Sequence, residues 1–446
     1  MTESEKEIKH LFARASFGLH PLIFQKIKNN SREEAVDALF KSSESFSNIT
    51  HFPDIRKEKK DVGGLKVLKM ILKSKKDLQQ LNLVWLDKMA TSNETLREKM
   101  TFFWHNHFAT STPFPVLMQE QNNMIRKHAL GNFRELVTEI AMDPAMIFYL
   151  NNHQNKKDAP NENFARELME LFTLGRGNYT EQDIKESARA FTGWHVGKDG
   201  YFTFHKKDYD DGAKTFMGKT GNWGGHDIIR IILDQEETSV FISRKIYKSF
   251  ISPNIDEAFV SQMASRFRKS NYDIGDLMRF VFLSDHFYIK ENRGVLIKSP
   301  VELIVEYKVL FQLRMKNADN MIKLQRGLGQ VLFMPPNVAG WPGDRNWIDS
   351  TSLLVRVNLP SLFSGKITYT PKDKELPETE SIKDKSKLPF LCSMNFEKFE
   401  SGFKNSSVFD LIIHPTSVEE PSVMKQLNSA EEKAIYVMSL PEFQLH

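Results

Sequence analysis

Between Pro160 and Trp194 the chain reads PNENFARELMELFTLGRGNYTEQDIKESARAFTGW. Its polar side chains have the types and spacing that chemistry needs. Glu162, Arg166, Glu167 and Arg189 put carboxylates beside guanidiniums, a set that can bind a metal, a phosphate or a sugar. In an enzyme, a glutamate there would act as general base or metal ligand, and the arginines would hold an anionic or hydroxylated substrate. The same residues also support a structural reading. Glu162 with Arg166, and Arg166 with Glu170, are i,i+4 pairs worth ~0.2–0.5 kcal/mol each on a solvated helix face. They could equally form a salt-bridge network that fixes helix packing.

A second group is His105-Asn106-His107. A His-x-His pair chelates readily from a strand, where i and i+2 share a face. On a helix the two imidazoles stand ~200° apart and cannot share an ion unless the helix ends there. Thr110 to Pro115 does end it, so the geometry stays open between a shared metal and one core histidine beside one hydrogen-bonding histidine. A divalent metal is therefore a candidate cofactor, of unassigned identity. The letters HNH do not make a nuclease, whose residues of that name are dispersed over a strand-and-helix fold.

These residues need helices to position them. Asn161 is placed to cap the first helix of the central stretch, with Phe164, Leu168, Leu171 and Phe172 as its apolar stripe. Gly175 and Gly177 stop it. Thr180 and Asp183 form a capping-box pattern for the second helix, with Ile184, Ala188 and Phe191 inward. Thr95 with Glu98 reads as another capping box, opening the helix that carries His105 and His107. Helical periodicity also covers residues 5–17, 21–41, 65–90, 116–130, 132–142, 226–233, 240–251, 256–268 and 274–283. Ser299-Pro300 starts one more helix. His286 and Glu302 match no pattern that carries chemistry.

Two segments break the helical run. After Trp194 the chain is glycine-rich, and the alternation around Tyr201–Phe204 predicts a β-hairpin. Asp210 and Lys214 in this segment could reach toward the charged helices. The glycines lack P-loop spacing, so a tight hairpin is preferred over an anion cradle. Residues 334–347 hold Pro335, Pro336, Gly340, Pro342 and Gly343, which forbid regular structure. Trp341 and Trp347 there either plug the core or wall a binding site for a sugar-like ring, with Asp344 and Arg345 as a polar rim.

The 446 residues allow two or three domains. The formal charge, 61 − 57 = +4, is too small and too dispersed to argue for nucleic acid. Thirty-four phenylalanines predict an aromatic core. The single cysteine, Cys392, excludes an intrachain disulfide and Cys-pair metal or redox centres, and reads as a small packed hydrophobe. No apolar run is long enough to span a membrane, and the first residues do not read as a signal peptide, so the cytoplasm is the default expectation. Residues 370–387 have almost no apolar side chain and read as a linker.

Four stretches of this sequence resemble one bacterial family, the domain-of-unknown-function family numbered 1800. They are HLFARASFG from His10, REKMTFFWHNHFATS from Arg97, the NENFARELMELFTLG…TGW segment, and PPNVAGWPGDRNW from Pro335. The terminal SLPEFQLH is similar to a Bacteroidetes-type branch of it. The resemblance implies a fold more than an activity. It also implies export in many relatives and a sulfatase-like protein encoded beside them as a partner. The family pattern of His-Asp, glycine and lysine after the central stretch becomes Tyr209, Asp210, Gly212 and Lys214 here. The lost histidine weakens a metal-ligand role at that position, although His205 could substitute in space.

The expected architecture is mainly α. A helical body (residues 1–368) carries one short β-hairpin, and a charged linker (369–388) leads to a C-terminal segment (389–446) with a docked helix. The expected function is a hydrolase or transferase acting on a polar or anionic substrate in a charged inter-helix cleft, with or without the help of a metal. Its catalytic groups would be Glu162, Glu167, His105 and His107, and its substrate-binding groups Arg166, Arg189, Asp210, Lys214 and Trp341. The alternative is a non-catalytic binding or scaffold protein whose charged motif is a structural network.

Overall fold

The computed structural model describes residues 1–52, 64–197, 199–365, 392–402, 407–414 and 419–446, with side chains of the 64–91 helix described from residue 75 onward. Among the described residues the chain forms 21 α-helices and three two-stranded antiparallel sheets. The architecture is mainly α. No described helix is long and apolar enough to cross a membrane. The linker expected at 369–388 lies outside the described residues.

The apolar stripes close on two cores. One gathers side chains from the first helices, from the central stretch and from helices up to Tyr288, including Trp104, Phe133, Phe172 and Phe282. The other gathers Trp85, Tyr307, Phe311, Phe333 and the C-terminal residues Val437, Met438 and Phe443. The Ala430–Met438 helix thus packs against the body. The Thr95–His107 helix lies between the cores. It gives Met100 and Trp104 to the first, joined by Phe108 just past its end, and Phe102 to the second.

The glycine-rich segment forms two hairpins where the sequence predicts one. Strands β1 (Trp194–Val196) and β2 (Phe202–Phe204) pair with His195 opposite Thr203. Strands β3 (Lys214–Phe216) and β4 (Lys219–Gly221) form the second, with Gly218 in the left-handed region at φ 75°. The third sheet joins β5 (Arg314–Met315) to β6 (Cys392–Ser393), which carries the cysteine.

Some local expectations meet competing partners. The box of Thr180 and Asp183 forms. The box of Thr95 and Glu98 does not: Glu94 precedes the helix and no side chain caps it. Glu98 is instead fully buried, paired with Arg126 at 2.5 Å and accepting the Trp85 indole N–H at 2.9 Å. A buried charge with two partners outweighs one exposed cap. The central helix also departs from the simple reading. Asn163–Glu167 is α-helical, but Leu168–Thr173 widens to a π-helix before the chain turns at Gly175.

Candidate functional site

The structure separates the residues that the sequence groups together. Arg166 pairs with Glu162 at 3.1 Å and with Glu181 at 2.9 Å, not with Glu170, on an open surface. Glu170 instead binds Arg176 and accepts from the Tyr179 hydroxyl. Glu167 is half-buried, and burial, with Glu170 nearby, raises its carboxyl pKa. Arg189 belongs to another cluster. Its guanidinium forks onto both oxygens of Asp210 at 2.7 and 3.2 Å and also donates to Glu186. Lys214 is buried and donates to the carbonyls of Asp210 and Gly212, so it holds the hairpin loop, with Arg189 and Glu186 of the neighbouring helix close enough to act on its charge.

His105 and His107 face opposite cores, as the helical rotation requires. His105 packs among Trp85, Phe333 and Trp341, and its Nε2 accepts the Phe333 N–H at 3.3 Å. Burial pushes its pKa down to about 3. His107 lies 3.0 Å from the Phe172 carbonyl through Nε2 and 3.1 Å from the Lys245 ammonium through Nδ1. Burial and the lysine keep it neutral, with Nε2–H donating. Both of its nitrogens are used, so the pair holds no shared ion. The π-helix supplies the Phe172 carbonyl, and it anchors Lys245 of the Glu236–Phe250 helix, which also donates to Leu171 O. Asn106, between the histidines, accepts the Trp341 N–H at 2.8 Å. Trp341 is buried against His105, and it is Trp347 that lines a cavity.

That cavity, about 140 Å³, opens between the two cores. Phe102, Phe103 and Asn106 line it from the Thr95–His107 helix, Lys248 from the Glu236–Phe250 helix, and Gly343, Asp344 and Trp347 from the proline-glycine loop. At its base Lys99 Nζ stands 2.5 Å from Glu302 Oε1, with His446 beside them. Ser299 N donates to the other Glu302 oxygen at 2.8 Å, part of a capping box. Burial alone would raise the Glu302 carboxyl. Lys99 and His446 more than offset this and hold it well below the usual carboxylate range.

Behind this pair lies a buried polar layer that sequence patterns did not signal. Glu306 binds Lys298 and, at 3.0 Å, His414. His446 Nδ1 contacts Ala13 O at 2.9 Å. Ser16, Phe17 and Gly18 close the layer from the N-terminal stretch. Three of the stretches that carry the family resemblance, and the C-terminal SLPEFQLH, therefore meet around Lys99 and Glu302. The signal was available only as that convergence, because Glu302 has no motif of its own.

A larger groove, about 1010 Å³, runs past Ile23, Leu83, Ala90, Val309 and Met315. Its Asp87 and Lys308 pair with each other at 2.8 Å. Among the described residues, the three-ligand group suited to a metal lies elsewhere, at His195, His205 and Asp208.

A two-core, mainly helical body with a charged pair at the floor of its inter-core cleft is the class that fold and site define. The profile of the family described as "Protein of unknown function (DUF1800)" matches residues 10–445, and the chain belongs to that family. No curated protein matches the chain, and no solved structure matches it.

Proposed function

We propose that the protein binds a small hydroxylated, sugar-like molecule in the cleft between its two cores, and that the charged Pro160–Trp194 stretch is structural. The observation that carries this is the arrangement at the cleft floor. The ionised Glu302 carboxylate, neutralised by Lys99, lies in a cavity walled by Trp347, Phe102 and Phe103 and edged by Asn106, Lys248 and Asp344. Aromatic walls with a few convergent polar groups suit a sugar ring, whose faces are apolar and whose rim donates hydrogen bonds. A carboxylate with depressed proton affinity accepts hydrogen bonds from hydroxyls well and abstracts protons poorly. This favours binding over acid–base catalysis, so hydrolase or transferase chemistry is the weaker reading of the cleft.

The test is titration calorimetry with a panel of mono- and disaccharides and polyols, on wild type beside Lys248→Ala and Asp344→Asn. Both side chains are exposed, and asparagine tolerates the left-handed backbone at residue 344 (φ 58°). Saturable binding by at least one saccharide, weakened in either variant, is the expected result. Absence of binding across the panel, or equal binding in all three proteins, defeats the proposal.

A further inference from the structure

We propose that His195, His205 and Asp208 form a binding site for a divalent ion of the zinc class, with three protein ligands and one open position. The site lies under the first hairpin, apart from the inter-core cleft. Three separate local rules bring the residues together. His195 is opposite Thr203 in the β1–β2 register, so His205, two residues on, is its diagonal neighbour on the same face. His205 N donates to Gly193 O at 2.7 Å, extending the pairing beyond the strand. His205 then caps the 3₁₀ turn Lys206–Asp208, and side chains at i and i+3 eclipse in such a turn, which sets Asp208 beside His205.

The distances fit an ion. His195 Nε2 and His205 Nδ1 stand 3.4 and 3.5 Å from the same oxygen, Asp208 Oδ2. Metal–ligand bonds of ~2.0–2.2 Å in a tetrahedral site separate the ligand atoms by ~3.3–3.6 Å. All three ligand atoms lie within 4.8 Å of one another. The two rings stack with centroids 4.3 Å apart. Closing on an ion therefore asks for rotation of the more exposed His205 ring, whose side chain is 42 % exposed.

An independent observation points the same way. His195 is over nine-tenths buried, yet its Nε2 is fully covered and makes no hydrogen bond in the protein. Asp208 Oδ2, at 3.4 Å, faces it without making a hydrogen bond, so a covered nitrogen is left poorly satisfied, which is costly and which coordination would relieve. The backbone around the group is tied down. Lys157 N donates to Asp208 O at 2.8 Å, and Gly193 N to Asn155 O at 3.2 Å. Gly193 takes φ 76°, and a Cβ there would lie 2.8 Å from His205 O, so only glycine lets the two strands approach this closely. Two imidazoles and one carboxylate suit zinc or a neighbouring late transition metal, not calcium or magnesium, which take oxygen ligands.

The experiment uses the tag-free full chain. Zinc is titrated against a chromogenic chelator, with wild type beside His205→Ala and Asp208→Asn. The expected result is about one zinc per chain for wild type and binding weaker by at least ~10–100-fold in both variants, the loss that removing even an outer-shell partner causes. Zinc at a concentration that saturates the wild type should also raise its melting temperature more than that of either variant, because a native-state site stabilises in proportion to its occupancy. His205 is exposed enough for its alanine variant to fold, which unchanged circular dichroism without metal would verify. A wild type that takes up no zinc, or variants that bind zinc equally well, would overturn the assignment.

Discussion

The Asn106 side-chain oxygen accepts the backbone N–H of Trp341 at 2.8 Å, across 235 residues of sequence. This bond ties the proline-glycine loop to the helix between the two cores and so shapes one wall of the cleft. Gly340, at φ 81°, approaches so closely that an added Cβ would fall 2.5 Å from the Asn106 carbonyl oxygen. Gly340→Ala should lower stability by about 2–3 kcal/mol through backbone strain and this clash. Urea unfolding checks it, and a loss below about 0.5 kcal/mol would mean that the loop is not held here.

Lys99→Met leaves the Glu302 charge without its ammonium. It should destabilise by about 3–5 kcal/mol, as breaking one side of a buried pair does. Lys99→Met with Glu302→Gln should recover most of that loss, because no charge is then stranded. A double variant as unstable as the single one would show that the pair is not coupled as its 2.5 Å separation implies.

The two charged clusters of the central stretch should respond differently. Arg166 is on an open surface, so Arg166→Ala should leave the melting temperature close to that of wild type. Arg189 forks onto the largely buried Asp210, and Arg189→Ala should cost about 1–2 kcal/mol. The reverse order in thermal unfolding would contradict the structural reading of this stretch.

Asp143 gives a pH signature. Burial raises its pKa to about 7, although it accepts from Met146 N and Gln121. Between the ordinary aspartate value of 3.8 and about 7, the folded protein keeps a proton that the unfolded chain has lost. Stability attributable to this group therefore falls as pH rises through that window. Asp143→Asn retains the accepting oxygen and carries no charge. Its stability relative to wild type should increase from pH 4 to pH 7 and then level off, measured by urea unfolding at each pH. A flat difference would show that Asp143 is ionised throughout.

What was legible in the sequence was local. Apolar periodicity placed the helices, the Thr180–Asp183 box formed, glycines marked the stop at Gly175, and the glycine-rich segment turned into hairpins. Each of these depends on hydrogen bonds and side-chain contacts within a few residues, so residue type and spacing suffice. The ~200° rotation of a helix argued against a shared ion at His105 and His107, but the nearby helix end left that open, and only the packing of the two rings against different cores decided it. Tertiary structure alone decided which polar groups meet. Glu98 has the spacing of a cap but lies opposite Arg126, and Arg166 lies within reach of Glu181 rather than Glu170. Glu302, without a motif of its own, meets Lys99 across 203 residues. Partner choice among buried charges follows from which faces the two cores bring together, and one helix pattern is compatible with many such packings. The grouping of His195, His205 and Asp208 depends in the same way on strand register, which the alternation around residues 201–204 suggested but could not specify.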